Sequence, residues 1–364
     1  MLGKVIAGKY RIEKLIGVGG MGAVYQATQL PMARQVALKV LRSVPGASDR
    51  ELGERFKREA LATSRLKHPN TVQVIDFGEE GGLLYMVLEL LEGAPLSRLI
   101  QREGPLAPER VAAIGKQIAK SLAEAHQQGI VHRDLKPDNV YICNYHGDPD
   151  FTKVMDFGIA RVVTADVHLT RAGMMIGTPK YMAPEQALAK KVGPPADLYA
   201  LGIILFEMLT GRPPFSADSH VAMALAQVNE QPPPLLLPGY PEPLAEAWRG
   251  LVGALLVKNP DKRAREAAEV ASWLQQVETD ARRSAEVGAS SGAPSTYEGP
   301  APKTTVSLAS ALRPRESRVW IWAAALAFMI LGGLVAYLIV RPSRTKVERP
   351  PAPVPGERVD ADAR

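Results

Sequence analysis

Three stretches of this chain carry residue types that could hold phosphate oxygens or fix a group that does. Gly17-Val18-Gly19-Gly20-Met21-Gly22-Ala23-Val24 reads G-x-G-x-x-G-x-V. Glycines at that spacing let backbone N–H groups approach an anion closely, because no Cβ stands in the way. Farther on, Val36-Ala37-Leu38-Lys39 sets one ammonium in an apolar strand, within reach of the α- and β-phosphates of a nucleotide lying under the loop. A glycine triplet alone marks a common turn, and a single strand lysine ordinarily snorkels to water. The third stretch is a predicted helix over 49–66. Spacing of 3.6 residues puts Leu52, Phe56, Glu59, Thr63 and Leu66 on one face and leaves Glu51 and Glu54 off it. Glu59 is therefore the acid aimed inward, and it is the expected counter-charge for Lys39, since a buried ammonium needs one to stay protonated.

The elements that must position these groups read as strands first and helices afterwards. Tyr10–Leu15, Ala23–Ala27, Gln35–Leu41, Val72–Phe77 and Leu83–Leu88 have strand character, so the glycines join two strands. A dinucleotide-binding βαβ unit would instead open a helix at the third glycine, and that reading fails here. Beyond Glu89-Leu90-Leu91-Glu92-Gly93 the sequence turns helical. Pro108–Gln128 carries a stripe of Val111, Ile114, Ile118 and Leu122 and closes at Gly129. Between helices lie Val131-His132-Arg133-Asp134-Leu135-Lys136-Pro137-Asp138-Asn139-Val140, then Val154-Met155-Asp156-Phe157-Gly158, then Gly177-Thr178-Pro179-Lys180-Tyr181-Met182-Ala183-Pro184-Glu185.

In this order and spacing the motifs resemble the eukaryotic-type (Hanks-type) serine/threonine protein kinases of bacteria, over residues 8–280. The resemblance implies an α+β, bilobal protein kinase fold. A five-stranded antiparallel sheet with one major helix forms the N-lobe, and the C-lobe is mostly helical. It implies ATP as phosphoryl donor and Mg²⁺ as cofactor, with Mn²⁺ as a substitute. Ile16, Gly17, Val18, Gly19, Gly20, Met21 and Gly22 would cover the ATP, with Val24 and Ala37 against the purine faces. Leu88 would stand at the gatekeeper place, and Glu89 C=O and Leu91 N–H would meet the purine edge. Lys39, fixed by Glu59, would neutralise the α- and β-phosphates. Asn139 and Asp156 would bind the metal. Asp134 would orient the acceptor hydroxyl and take its proton, Lys136 would meet the γ-phosphate, and Thr178 would help position both. Leu135-Lys136-Pro137 favours Ser/Thr over Tyr acceptors. His132, Asp197 and the pair Glu185–Arg263 read as structural. Arg133 beside Asp134 marks kinases in which a phosphate on the activation loop orders that loop. Thr170 is the expected phosphosite, with Thr164 the substitute; Ala172 stands where relatives carry a second threonine. The alternative is a pseudokinase-type ATP-binding membrane scaffold, but Lys39, Asp134 and Asp156, whose loss marks pseudokinases, are all present.

Composition sets the outer bounds. The 364 residues are 23% charged and 46% hydrophobic, ordinary for a globular chain. The net charge of +6 is spread without a basic stripe, so no nucleic-acid partner is expected. Cys143 is the single cysteine and excludes an intrachain disulfide or a Cys-based zinc site. Val319–Val340 carries no charge, has Trp320, Trp322 and Tyr337 near its ends, and at about 1.5 Å per residue reaches the roughly 30 Å of a bilayer core. The expected organisation is a kinase domain at 8–280, a flexible linker at 281–318, a transmembrane helix at 319–340 and a Pro-rich tail at 341–364. Met1–Tyr10 lacks the apolar run of a signal peptide. The expectation is thus a single-pass inner-membrane protein with its catalytic domain in the cytoplasm. Its expected partners are Ser/Thr-bearing protein substrates, the membrane and a second copy of itself in a homodimer.

Overall fold

The computed structural model describes residues 1–19, 22–41, 49–145, 147–157 and 179–290. The expected linker beyond 290, the span at 319–340 and the tail lie outside them. Among the described residues no helix is long and apolar enough to cross a membrane.

The first lobe is one antiparallel sheet with a helix on it. Its strands are β1 (Val5–Ile6), β2 (Tyr10–Gly19), β3 (Gly22–Gln29), β4 (Arg34–Leu41), β5 (Val74–Glu80) and β6 (Leu83–Glu89), in the order β1-β2-β3-β4-β6-β5. Helix α1 spans Asp49–Thr63. The alternation of β4 explains why both faces are covered. Ala37 and Leu41 point into a core with Phe56, Ala60, Val72, Met86 and Leu88, whereas Val36, Leu38 and Val40 point into another with Ile6, Tyr10, Ile12, Tyr85 and Val87. Lys39 shares the parity of Ala37 and Leu41, so its side chain enters on the α1 side. The sheet has six strands rather than the expected five. Ile6 is apolar and pairs with Tyr10, which closes the second core at its edge.

The second lobe begins with a short sheet, β7 (Gly93–Pro95), β8 (Val140–Tyr145) and β9 (Asp148–Val154), paired in that order. Its helices are α2 (Leu96–Glu103), α3 (Pro108–Gln127), α4 (Pro184–Ala187), α5 (Pro194–Thr210), α6 (His220–Asn229), α7 (Glu242–Leu255) and α8 (Ala267–Ser290). Helix α5 is apolar on every side and buried from Ala196 to Leu209, which makes it the axis of the lobe. Each Leu or Ile buried there contributes roughly 1.5–3 kcal/mol relative to exposure. Helix α8 continues to Ser290, beyond the expected domain end at 280.

Two backbone connections tie the lobes together. Val72 N–H donates to Val154 C=O at 2.9 Å, and Val154 N–H to Asn70 C=O at 2.8 Å. The β8–β9 hairpin then sets the two ends of its own ladder side by side: Val140 pairs with Val154, and Met155 N–H donates to Asn139 C=O at 2.9 Å. Asn139 and Asp156, distant in sequence, are brought together by that hairpin.

Candidate active site

The segment from His132 to Asn139 is fixed from beneath by one buried carboxylate. Asp197, at the start of α5, accepts His132 N–H and Arg133 N–H at 2.8 Å each, and His126 Nε2 lies 2.9 Å from it. These bonds hold Arg133 at φ 67°, in the left-handed region that a side chain with a Cβ disfavours. From the other side Gln186 Nε2 donates to Arg133 C=O at 2.8 Å. The His132 ring packs on Phe157, with centroids 4.7 Å apart, and its Nε2 lies 2.7 Å from Met155 C=O. Asp156, between those two contacts, also adopts positive φ, 63°. The backbone on both sides of the cleft floor is thus held in conformations it would not choose alone.

Three side chains converge on this floor. Lys136 Nζ lies 2.7 Å from Asp134 Oδ2. Asn139 Nδ2 donates to Asp134 C=O at 2.7 Å and approaches Oδ2 at 3.2 Å. Asn139 thereby commits its NH₂ to Asp134. Above them, Lys39 Nζ meets Asp156 Oδ1 at 2.6 Å. Burial alone would raise the Asp156 carboxyl, but Lys39 outweighs it, helped by His132 and Lys136, and the group sits below its ordinary value.

Helix α1 packs through Phe56, Ala60 and Thr63, all buried, with Thr63 Oγ1 donating to Phe157 C=O at 3.2 Å. Glu59, the acid expected to fix Lys39, stands beside that stripe, half-buried.

Between the lobes is a cavity of about 180 Å³ lined by Ile16, Gly17, Val24, Ala37, Lys39, Val72, Leu88, Glu89, Leu90, Leu91, Tyr141, Met155 and Asp156. Ala37 and Leu88 are direct partners across β4 and β6, and Val24 partners Lys39 across β3 and β4. The Glu89 carboxylate is turned away to accept Lys153 Nζ at 2.7 Å and Gln73 N–H at 2.8 Å, and its N–H donates to Gln73 C=O. Val18 and Gly19 sit on the exposed rim of the β2–β3 hairpin, which closes at the Gly19–Gly22 pair. Gly20, Met21, Thr170 and Thr178 lie outside the described residues. Sequence reasoning missed Val72, Leu90, Tyr141 and Met155. Tyr141 lies on β8, one residue beyond Val140, which pairs with Val154.

The oxygen pair Asn139 and Asp156 suits a hard divalent cation whose remaining ligands are phosphate oxygens and water. Among the described residues no group of three His, Cys, Asp or Glu side chains offers a rival metal site. Glu185 and Arg263 form the expected buried pair, at 2.8 and 3.1 Å, below this floor.

Comparison with known proteins decides the family. Residues 10–277 match the protein kinase domain. The chain belongs to the protein kinase family. This kinase is 43% identical over 286 residues to the serine/threonine-protein kinase pkn3 of Myxococcus xanthus, covering 78% of the chain and 52% of that relative. It is 38% identical over 286 residues to PknA of Mycobacterium tuberculosis, covering 77% and 64%. It is 43% identical over 233 residues to PrkC of Bacillus subtilis, covering 64% and 35%. The kinase therefore spans roughly half to two-thirds of the length of the first two relatives.

Proposed function

We propose that this protein transfers the γ-phosphoryl group of ATP to serine or threonine hydroxyls of proteins. The observation that carries this is the convergence of Lys136 and Asn139 on Asp134, facing Lys39 and Asp156 across the cleft. Phosphoryl transfer asks for positioning and charge neutralisation more than for covalent catalysis. Asp134 accepts a hydrogen bond from the acceptor hydroxyl, aims its oxygen at the γ-phosphorus, and takes the proton as the new P–O bond forms and the bond to the β-phosphate bridge breaks. A carboxylate suffices, because the loose transition state needs little early proton removal. Lys136 neutralises γ-phosphate oxygens, and Lys39 those of the α- and β-phosphates. Mg²⁺, held by Asn139 and Asp156, would supply further neutralisation of phosphate charge when bound. The purine enters the apolar cavity between Val24, Ala37 and Leu88, with Glu89 C=O and Leu91 N–H at its edge.

The test is transfer of labelled phosphate from Mg-ATP by the full-length chain, against Lys39→Met and Asp156→Asn. Each variant is expected to lose autophosphorylation. Wild-type protein that binds ATP and modifies no protein would leave the scaffold reading standing instead.

Three further parts of the proposal rest on sequence. A phosphate on Thr170 meets Arg133 through two guanidinium N–H groups and orders the loop. Mass spectrometry of active enzyme should find it, and Thr170→Ala should lower kcat about tenfold, roughly 1.4 kcal/mol. The apolar segment 319–340 anchors the chain as a single-pass inner-membrane protein. Near-equal basic charge on its two flanks leaves orientation to the need for cytoplasmic ATP. Removal of residues 315–364 should release an active soluble kinase, and a full-length chain soluble without detergent would overturn the anchor. A homodimer in which one copy phosphorylates the other completes the reading, and sedimentation in detergent tests it.

A further inference from the structure

We infer that Gln227 is a positioning residue for the protein substrate, acting through the backbone of Pro179 and Lys180. The inference rests on the kinase reading above. Gln227 lies on α6 and is fully buried. Its amide Nε2 donates to Lys180 C=O at 2.6 Å and to Pro179 C=O at 3.3 Å. Its Oε1 accepts the Tyr199 hydroxyl at 2.8 Å. Its backbone C=O accepts Lys258 Nζ at 2.8 Å, and that ammonium also donates to the Tyr199 oxygen at 2.9 Å while lying 4.2 Å from the centre of the Phe215 ring. One amide, one phenol and one ammonium thus close a ring of bonds, and both free ends of the ring are spent on two consecutive carbonyls.

Those carbonyls belong to the segment that leads into α4, and the segment is tied at its other end to the catalytic floor. Ala183 N–H donates to Gln186 Oε1 at 3.0 Å, and Gln186 Nε2 donates to Arg133 C=O, one residue from Asp134. The side chains of the segment are held separately. Lys180 Nζ and Tyr181 Oη both reach Glu207 of α5, at 2.9 and 2.7 Å, and burial with that carboxylate pushes the Tyr181 phenol up. A protein hydroxyl delivered to Asp134 brings flanking residues with it. Next to Asp134, the backbone surface tied to Arg133 is this Pro179–Ala183 segment. Glu207 fixes what its side chains do, and Gln227 fixes where its backbone lies. An amide suits the task because only a group with two N–H donors and an acceptor reaches two carbonyls and a hydroxyl at once. Gln227 touches neither ATP nor the cleft, so its loss should weaken the protein substrate and spare the nucleotide.

The test uses the full-length chain in detergent, with two acceptors, dephosphorylated casein and the Asp134→Asn chain. Gln227→Met keeps length and volume and removes the amide. It should raise the KM for casein at least fivefold and leave the KM for ATP within twofold, read well below the melting midpoint of each variant. Gln227→His keeps one N–H donor at similar reach and should recover at least half of that loss. Tyr199→Phe removes the hydroxyl that orients the amide and accepts Lys258, and should raise the casein KM two- to fivefold; it carries the test if Gln227→Met fails to fold. A casein KM within twofold of wild type in both Gln227→Met and Tyr199→Phe overturns the inference. So does a parallel worsening of both KM values and kcat that follows lost stability without rescue by histidine. Wild-type protein that modifies neither acceptor brings down the kinase reading and this inference together, whereas an active wild type with unresponsive variants sinks the inference alone.

Discussion

The two sides of the cleft hold their functional groups by different means. On the helical side, His132 to Asn139 is cross-linked by buried polar bonds from Asp197, Gln186 and Asn139 itself. On the sheet side, the described residues of the glycine hairpin are held by its ladder, which pairs Gly17 with Val24 and Gly19 with Gly22. A Cβ added at Gly17 or Gly19 would meet nothing within 4 Å, and Ile16 and Val18 are 47% and 63% exposed. A satisfied hydrogen bond contributes only about 1 kcal/mol net, but orphaning a buried donor costs about 1–3 kcal/mol. The floor is therefore rigid because distortion would strand buried groups, and the rim is free to adapt because moving it strands none. Groups that must keep fixed distances from one another lie on the floor, and groups that need only cover a ligand lie on the rim.

The largest effect should come from the floor. Asp134→Asn should lower phosphoryl transfer by roughly 10²–10⁴-fold, about 3–5 kcal/mol. Single-turnover rates measure it, and more than a tenth of wild-type turnover would mean that Asp134 is not the group that takes the hydroxyl proton.

Next is the pair beneath the floor. Arg263→Met leaves Glu185 buried without its partner and should cost about 3–5 kcal/mol of stability. Urea unfolding reads this, and a cost under about 1 kcal/mol would mean that the loops above do not depend on the pair.

The rim offers a matched contrast. Gly22 has φ 151°, and its missing Cβ would sit 1.9 Å from Val40 C=O in the neighbouring strand. Gly22→Ala should cost about 1–3 kcal/mol and raise the KM for ATP, whereas Gly19→Ala should stay within about 0.5 kcal/mol. Equal effects at both positions would erase the distinction between ladder and open rim.

The smallest effect is one of pH. Burial pushes the Lys258 ammonium down to about 8, with Glu230 opposing and Arg263 reinforcing the shift. Its folded value lies below the unfolded one, so between about pH 8 and 10 the unfolded chain binds more protons and stability rises with pH. The rise should be about 1 kcal/mol once solvent screening is allowed for. Lys258→Met should flatten it, and identical pH profiles for wild type and variant would show that the ammonium is not held against its charge.

Much of this was legible in sequence because the chemistry is written in short stretches. Gly17–Gly22, Lys39, Asp134, Lys136, Asn139 and Asp156 are each picked out by residue type and local spacing, and strand parity tells which side of the sheet Lys39 enters. The two cores on either side of β4 follow from its alternation alone. Other features depended on which surfaces meet. That Lys39 meets Asp156, 117 residues away, depends on how the two sides of the cleft come together, and strand spacing cannot measure that approach. The sixth strand arises because Ile6 had an edge to close, a need visible only once Tyr10 and Val36 have been packed. Tyr141 reaches the cleft through the β8–β9 hairpin, and Gln227 reaches Pro179 and Lys180 across nearly fifty residues of chain. A side chain's type and parity are local properties, set by bonds a few residues long. Its partner is settled by long-range packing, which a linear pattern does not contain.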